Sequence, residues 1–423
     1  MKSSARDAGK DSAKDKSRPL KVSTASSETR RKIASAVQPL RRHQNSETIL
    51  LVTGEHSGDL LGADVVRYLK RQGFESFFGT GGESMRKEGV EIVQDIESMT
   101  VFGFIEALKN YRRLKALAKR LVDLAIEKRA STAVLVDYPG FNLRIAEMLH
   151  KAGIKVVFLV SPQLWAWHQS RIKTIQKNVD LMLVLFEFEK KMYDEAGVPC
   201  EWIGHPMIRR IPERLAQESP IPLRRGKTVA LMPGSRASEI NRLLPDMLEG
   251  ARLLLKGYPG IRFLLPNINP HAEPTIQALL QDYADLKVEY LKDRSLRVLE
   301  ACDVVMIASG TATLEAAYFL RPMVILYRVS WANLLLATAV IRTRFIGMVN
   351  LLARRQAALE LLQTEVTPEN IAREIVRIFE DESYRRSMVS ELEYVKHALG
   401  SGNPGEKAAR AIASFVRSSG SAR

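Results

Sequence analysis

The stretch Val229-Ala-Leu-Met-Pro-Gly-Ser-Arg-Ala-Ser-Glu-Ile240 predicts a buried strand, a tight turn and the start of a helix. Apolar residues at helical spacing follow it: Leu243, Leu244, Met247 and Leu248. Backbone N–H groups, a helix dipole and the guanidinium of Arg236 can together hold a phosphate at such a junction. A Gly-Ser turn before a surface Arg is also common where no phosphate binds, so both interpretations stay open for this stretch alone.

A second junction of the same kind favours the phosphate interpretation. Ala308-Ser-Gly-Thr-Ala-Thr-Leu-Glu315 follows the apolar run 304–307 and places Glu315 early in a helix. There a carboxylate can reach the hydroxyls of a ribose whose diphosphate lies nearby. The two junctions together predict a nucleotide-diphosphate site. Its predicted residues are Gly234, Ser235, Arg236, Ser309, Gly310, Thr311 and Glu315.

The sequence on both sides of these junctions predicts two domains. Its 423 residues exceed one typical core, and strand and helix patterns alternate on both sides of a polar, Pro-bearing break. This alternation predicts an α/β protein of two Rossmann-like, doubly wound domains that face a central cleft. The predicted division is a tail 1–46, a first domain 47–206, a linker 207–226, a second domain 227–383 and helices 384–423. A return of the last helices to the first domain is plausible, but the pattern does not establish it.

The first strand, 48–53, ends in Gly54-Glu-His-Ser-Gly-Asp59. This turn is not G-x-G-x-x-G, so nothing there indicates a nicotinamide or flavin cofactor. Glu55, Ser57 and Asp59 are candidates for substrate contacts. A purely structural interpretation has Ser57 cap the helix and Asp59 favour its dipole, but it leaves Glu55 unexplained.

Further candidates follow the later strands of the first domain. Asp137 comes at the carboxyl end of the apolar run 133–136, where a single carboxylate can serve as a general base. Asn142 follows it. The loops with Trp165 and His205 could be packing, but strand-end loops with Pro and aromatic residues more often line a pocket.

The charge distribution bears on location and partners. The formal net charge is +15, and much of it lies in 1–46, which has too few large apolar residues to order itself. A transit peptide is an alternative, although Asp7, Asp11 and Asp15 disfavour it. No apolar secretory segment is present, and runs such as Leu334–Ile341 are too short to span a bilayer. Any membrane contact is therefore expected to be peripheral.

A basic amphipathic pattern begins near Phe102 and Phe104 and continues through Arg112, Arg113 and Lys115. It suits an anionic membrane surface, and a core helix with a solvated basic face is the comparable alternative. A nucleic-acid-binding protein would also be basic, but no nucleic-acid-binding motif is present. Two cysteines far apart, without metal-ligand spacing, indicate buried thiols in a reducing compartment.

A series of motifs resembles one family in order and spacing over roughly 48–380. They are Gly54-Glu-x-Ser-Gly-Asp59, Gly81-Gly82, Asp137-x-Pro-x-Phe-Asn142, Ser161-Pro-x-x-Trp-Ala-Trp167, Phe188-Glu-x-x-x-Tyr193, Gly204-His-Pro206, Pro233-Gly-Ser-Arg-x-x-Glu-Ile240 and Ala308–Glu315. The chain in this respect resembles the lipid-A-disaccharide synthases. The resemblance implies an inverting glycosyltransferase of the GT-B architecture, which joins UDP-2,3-diacylglucosamine to 2,3-diacylglucosamine 1-phosphate and releases UDP.

The resemblance also implies roles for particular residues. Asp137 matches the family's proposed base, Arg236 its phosphate-binding arginine, Glu315 its ribose ligand and Asn350 the Asn of its P-N-L-[LI]-A-G segment. The chain departs from that segment at three positions: Val349 for Pro, Arg354 for Gly and Leu359 for Pro. An arginine in place of glycine adds bulk and is expected to forbid a positive φ, which puts the donor side there in doubt.

No cofactor and no metal are expected, because the chain has no Asp-x-Asp pair to chelate an ion at the diphosphate. The expected location is cytoplasmic, with peripheral contact to an anionic inner membrane, and a homodimer is left open. Another UDP-sugar enzyme of this architecture, such as a UDP-N-acetylglucosamine 2-epimerase, is the alternative. Product analysis separates the two.

Overall fold

The computed structural model describes residues 47–99, 104–162, 164, 171–329 and 344–420, with only the backbone described at 104–111 and 420. The predicted tail, Phe102 and Trp165 lie outside the described residues. The described chain forms two parallel sheets, each flanked by helices. These are the two α/β domains that the sequence predicts.

The first sheet holds seven described strands in the order β3-β2-β1-β4-β5-β6-β7. They are β1 Thr48–Thr53, β2 Ser76–Gly81, β3 Glu91–Asp95, β4 Thr132–Val136, β5 Lys155–Leu159, β6 Leu181–Val184 and β7 Cys200–Trp202. The helices between them are α1 His56–Lys70, α2 Glu83–Lys87, α3 Phe104–Glu127, α4 Pro139–Lys151, α5 Arg171–Asn178 and α6 Glu187–Glu195. The central strands are nearly continuous apolar runs because helices cover both faces of the sheet.

The second sheet holds six described strands in the order β10-β9-β8-β11-β12-β13. They are β8 Thr228–Met232, β9 Arg262–Asn267, β10 Glu289–Lys292, β11 Val304–Ala308, β12 Met323–Tyr327 and β13 Leu359–Leu362. The helices of this half are α7 Met207–Leu215, α8 Ala237–Gly257, α9 Glu273–Asp282, α10 Ser295–Ala301, α11 Ala312–Tyr318 and α12 Met348–Ala353. Short 3₁₀ turns lie at Ile96–Ser98, Pro270–Ala272, Ala284–Leu286 and Gln363–Glu365.

Three helices follow the second sheet: α13 Pro368–Glu380, α14 Glu382–Ala398 and α15 Pro404–Gly420. Gly400 and Gly402 adopt positive φ and separate α14 from α15. Helix α13 packs on α8, whereas α15 packs on α1 of the first sheet. Ile412 on α15 is fully buried in the core of the first half.

The stretch 207–226 between the sheets is anchored to the second half. It contains α7, whose buried residues are Met207 and Ile211. Arg297 donates hydrogen bonds to the carbonyls of Leu215 and Glu218, and its guanidinium thereby ties the end of this stretch to α10. The side chains of α7 are therefore held in fixed positions relative to the second sheet.

Candidate functional site

A cavity of about 510 Å³ lies between the two sheets. Ser57, Asp137 and His205 line it from the first half, and Thr311 and Glu315 line it from the second. These residues follow strands β1, β4, β7 and β11, so they come from the carboxyl edges of both sheets. This is the edge at which open α/β sheets keep their ligands.

The backbone at the end of β4 turns sharply and directs Asp137 to the cleft. Asp137 and Tyr138 both adopt the left-handed region, with φ of 50° and 48°. The N–H of Asp137 donates to the carbonyl of Leu159 at 2.8 Å, and the side-chain amide of Asn142 donates to the carbonyl of Asp137 at 2.6 Å. Tyr138 also packs over Gly54, where an added Cβ would lie 2.5 Å from the Tyr138 ring. These contacts hold a conformation that non-glycine residues disfavour.

The surroundings of Asp137 suit a general base. Burial, and secondly the negative charge of Glu55, raise its pKa from 3.8 to about 6, against a smaller lowering by a backbone hydrogen bond from Tyr138. A carboxyl group with a pKa near 6 is still mostly ionised at neutral pH, and it is a stronger base than an ordinary aspartate. Glu55 itself is exposed at the mouth of the turn after β1.

The candidate substrate-binding residues in the turn after β1 differ in their exposure to solvent. Ser57 is exposed and lines the cavity, but Asp59 is only 1% exposed. The carboxylate of Asp59 accepts hydrogen bonds from the N–H groups of Gly82 at 2.7 Å, Ser84 at 2.9 Å and Met85 at 3.1 Å. The oxygens of Asp59 therefore satisfy the backbone N–H groups at the start of α2. This geometry does not support the expected contact of Asp59 with substrate.

The two asparagines predicted to contact substrate are likewise fully buried. Asn142 donates to the carbonyls of Val136 and Asp137, as a support beneath the turn. Asn350 accepts from the N–H of Ala357 at 2.7 Å and of Ala358 at 2.9 Å, and its amide donates to Glu360 at 2.7 Å. With no exposed surface, both asparagines can act on a ligand only through the loops they hold.

The predicted nucleotide residues surround a second cavity of about 330 Å³ in the second half. The lining residues include all of those predicted: Gly234, Ser235, Arg236, Ser309, Gly310, Thr311 and Glu315. Gly234 has a φ of +104°, which only glycine adopts readily, so its place in the turn after β8 has a backbone reason. The Arg236 side chain is 79% exposed, and its guanidinium donates to Glu239 at 2.8 Å. A surface arginine that is held by a single exposed ion pair can reorient toward a bound anion at a small cost in free energy.

Glu315 and Thr311 line both cavities and therefore mark where the two meet. Burial raises the pKa of Glu315, while the positive charge of Arg214 lowers it to a smaller extent. No described residue forms a hydrogen bond with the Glu315 carboxylate, so it is free to accept from the hydroxyls of a ligand.

His205 is a neutral group in the cleft at physiological pH. Burial, together with the positive charge of Arg210, lowers its pKa to about 4. Its ring stacks on Phe186 with centroids 5.6 Å apart, and its Nδ1 accepts from the N–H of Met207 at 3.2 Å. Because Nδ1 is an acceptor, the proton of the neutral ring lies on Nε2, which is left as a donor.

Two arginines of α7 line the larger cavity and were missed by the sequence prediction, which assigned them to a linker. They are Arg210 and Arg214, one helical turn apart. Their spacing of four residues on the same helix as the buried Met207 and Ile211 could have indicated a common face. The polar character of 207–226 as a whole concealed it.

The departures near Asn350 are accommodated in the fold. The expectation that Arg354 would forbid a positive φ is wrong, because Arg354 ends α12 in the left-handed region with a φ of 56°. Its guanidinium lies 5.5 Å from the ring centroid of Phe188, which belongs to the first half. Val349 is fully buried, and Leu359 pairs with Val324 at the start of β13.

Two further findings concern the described residues alone. They contain no group of three or more His, Cys, Asp or Glu side chains placed to hold a metal ion. They also contain no helix with the length and apolar character needed to cross a membrane. Cys200 and Cys302 are both buried, and burial raises the pKa of each thiol.

Comparison with known proteins gives the following matches. A family of lipid-A-disaccharide synthetases matches residues 49–413. The lipid-A-disaccharide synthase of Trichlorobacter lovleyi is 38% identical over 376 residues, which cover 88% of this chain and 98% of that protein. Two solved structures share the fold: a putative UDP-N-acetylglucosamine 2-epimerase from Listeria monocytogenes (TM-score 0.56, 12% identity, 89% and 97% covered) and a transferase from Siraitia grosvenorii in complex with UDP (TM-score 0.54, 10%, 88% and 99%).

The buried position of Asp59 generates a stability prediction. Asp59→Ala should lower the free energy of unfolding by about 1–3 kcal/mol, because the N–H groups at the start of α2 lose their acceptor. Thermal melting measures this effect, and Asp123→Ala, which removes an exposed carboxylate on α3, is the matched control. If the variant keeps its stability but selectively loses substrate affinity, Asp59 would be assigned to the substrate site as the sequence predicts.

Proposed function

The chain belongs to the lipid-A-disaccharide synthase family, and from this we propose that its cleft joins two acylated glucosamines. The donor is UDP-2,3-diacylglucosamine, the acceptor is 2,3-diacylglucosamine 1-phosphate, and the products are the β-1,6-linked disaccharide 1-phosphate and UDP. The observation that carries the proposal is that Asp137 shares one cavity with Thr311 and Glu315, which also line the nucleotide cavity. A base and a donor site therefore open into the same space.

Asp137 is proposed as the catalytic base of an inverting transfer. Its carboxylate takes the proton of the acceptor 6-hydroxyl while that oxygen bonds to the anomeric carbon of the donor from the face opposite UDP. The bond between the anomeric carbon and the UDP oxygen breaks, and UDP leaves with the bonding electrons. The raised pKa of Asp137, about 6, supports this role, because the group accepts a proton readily and is ionised before the reaction.

The departing diphosphate gains negative charge as the bond breaks, and cationic or N–H groups must stabilise it. Arg236 and the turns 233–236 and 309–311 line the cavity proposed for this group. The carboxylate of Glu315, which has no hydrogen-bond partner among the described residues, is proposed to accept hydrogen bonds from the ribose hydroxyls. Ser57 and His205 line the cavity on the acceptor side, where they are proposed to contact the sugar.

The epimerase alternative rests on fold alone, since the epimerase structure is only 12% identical to this chain. The two activities differ in product, because an epimerase inverts one carbon of its sugar and joins no second sugar, whereas a transferase releases a disaccharide. Mass spectrometry of products from the purified protein, given both lipid substrates, tests the proposal. The disaccharide 1-phosphate is the expected product, and its absence with release of a free epimer would overturn the transferase assignment.

Contact with a membrane surface is a further part of the proposal. Arg112, Arg113 and Lys115 are exposed on α3, and Leu117 on the same helix is buried. A small cavity of about 210 Å³ beside this helix combines Arg113 and Arg120 with Met99, Leu114 and Leu117. Cations next to apolar side chains suit an acylated, anionic surface. The cytoplasmic, inner-membrane location and a homodimer stay predictions.

The pH dependence of the reaction should report Asp137. Since a base must be ionised, kcat/KM should rise with pH through about 6 and then level off. Glu55→Gln should move this rise to lower pH, because removal of a nearby negative charge stabilises the Asp137 carboxylate. Asp137→Asn should lose about 10²-fold or more in turnover while folding and UDP binding persist.

The matched control for the Glu55 variant is Glu75→Gln, which neutralises an exposed carboxylate outside the cleft. Its pH profile should coincide with that of the wild type. Full activity in Asp137→Asn would remove Asp137 from the mechanism, and an unshifted profile in Glu55→Gln would show that Glu55 does not act on it.

The donor site predicts different effects on two nucleotides. Arg236→Ala should weaken UDP binding by roughly 1.5–3 kcal/mol, the range for a hydrogen bond to a charged group. Glu315→Ala should weaken UDP and UMP to a similar extent, because its assigned contact is with ribose. Calorimetric titration measures both, with Arg225→Ala as a control that removes an exposed charge elsewhere. Wild-type UDP affinity in both variants would contradict the proposed donor site.

The membrane proposal predicts an effect of charge reversal on α3. Arg112→Glu with Arg113→Glu should reduce sedimentation with anionic vesicles about tenfold or more, since each basic residue near such a surface contributes about 1 kcal/mol. UDP affinity should stay unchanged. The control reverses two exposed cations of the second domain, Lys256 and Arg373. Wild-type vesicle binding in the α3 variant would favour the alternative of a core helix with a solvated basic face.

A further inference from the structure

Arg210 is a half-buried cation in the cleft that the proposed chemistry does not yet use. It lines the cavity that contains Asp137, and its Nη2 is buried without a hydrogen-bond partner among the described residues. Burial lowers the pKa of Arg210, and the nearby carboxylates of Asp64 and Glu213 raise it to a smaller extent. A buried guanidinium with an unused donor is costly unless something accepts from it.

The neighbouring carboxylates are engaged elsewhere. Glu213 accepts from Arg209 at 2.6 Å, and Asp64 pairs with Arg67 at 3.1 Å and with Arg209 at 3.6 Å. Neither forms an ion pair with Arg210 within the described chain. The described residues therefore leave Arg210 Nη2 without an acceptor, and an anionic ligand in the cavity can supply one.

A second unused donor lies beside Arg210. The Nδ1 of His205 accepts from the N–H of Met207, so Nε2 carries the proton of the neutral ring, and no described residue accepts from it. The positive charge of Arg210 helps to keep this ring neutral. One fixed cation and one neutral donor on the same wall of the cavity suit a ligand group with several anionic oxygens, as in a phosphate monoester.

We propose that Arg210 and His205 form the subsite for the phosphate of the acceptor, a hexosamine 1-phosphate. The proposal deepens the proposed function and rests on it. Arg210 does not line the nucleotide cavity, whereas the diphosphate has Arg236 and two turns of its own. On the acceptor ring, C1 carries the phosphate and C5 carries the CH2OH group, and both carbons flank the ring oxygen. A cavity lined by both Arg210 and Asp137 can therefore bind the phosphate at Arg210 while the base meets the 6-hydroxyl.

Arg214 has a different position from Arg210 although it lies one turn further along α7. Its guanidinium is 3.5 Å from Glu218, and its charge partly offsets the burial that raises the pKa of Glu315. It therefore has protein partners at the boundary with the donor side. Arg210 has no ion-pair partner among the residues that the structure describes, so it is the better candidate for the acceptor phosphate.

The test compares two acceptors in the full-length protein at saturating donor. One is 2,3-diacylglucosamine 1-phosphate, and the other is the same lipid without its phosphate. The wild type should prefer the phosphorylated acceptor in kcat/KM, and Arg210→Gln should lose about 10- to 100-fold of this preference, mainly through KM. UDP affinity should not change. The matched control is Arg209→Gln, which removes the adjacent charge that pairs with Glu213, and it should retain the preference.

Two outcomes would overturn the subsite. A preference retained by Arg210→Gln would mean that the guanidinium does not contact the phosphate. A selective loss of UDP affinity in Arg210→Gln, with the acceptor preference unchanged, would assign Arg210 to the donor.

Direct binding separates the subsite from the proposed function as a whole. Glucosamine 1-phosphate, glucosamine and inorganic phosphate are titrated in turn while the ¹⁵N resonance of His205 Nε2 is followed. A shift of this resonance with glucosamine 1-phosphate that is absent in Arg210→Gln supports the subsite. This conclusion holds even if no disaccharide forms, because the lack of a disaccharide would contradict only the transferase assignment. A shift with inorganic phosphate alone would mean a general anion site, and no shift with any probe would refute the subsite.

Discussion

The reversal of strand order in each sheet is the constraint on which the rest of the site depends. The chain builds outward in one direction from β1 and then restarts beside it with β4, and in the second half β8 and β11 are neighbours in the same way. Loops that leave such neighbours must diverge to opposite faces, which opens a crevice at the carboxyl edge. Asp137 follows β4 and the nucleotide turns follow β8 and β11, so each half presents its chemistry at its own crevice.

Local strain at the edge of the first sheet shows how strongly the fold holds this arrangement. Asp137, Tyr138 and the β-branched Val160 all have positive φ, each at a cost on the order of 1–3 kcal/mol. Backbone bonds from Asp137 to Leu159 and from Val160 to Leu183 join consecutive strand ends and offset that cost. A relaxed turn would continue the strand direction and carry the carboxylate away from the opposing domain. The strain is therefore part of how the base reaches the cleft.

The sequence predicted the two sheets and the residues that follow their central strands, because period, strand length and turn chemistry are local properties. Asp59 and Asn142 looked like site residues because each is a polar side chain in a turn or helix start after a buried strand, whereas Asn350 was assigned only by its match to a segment of the family. Whether the polar atoms of such a side chain face a ligand or the backbone of a neighbouring loop is a non-local property. Arg210 shows the converse, since the polar, Pro-bearing character of its stretch concealed the helical spacing that places it on the face of α7 lining the cavity.

The charges of the cleft differ between its two walls. At the first sheet, burial and secondly the charge of Glu55 raise the pKa of Asp137, while burial and secondly the charge of Arg210 on α7 lower the pKa of His205. The pKa values of these two groups therefore shift in opposite directions although both groups line one cavity. Thr311 and Glu315 are common to that cavity and to the nucleotide cavity. In the proposed assignment, an acceptor hydroxyl at Asp137 and a sugar held on UDP therefore meet beside these two residues, where the described geometry leaves the Glu315 carboxylate unpaired.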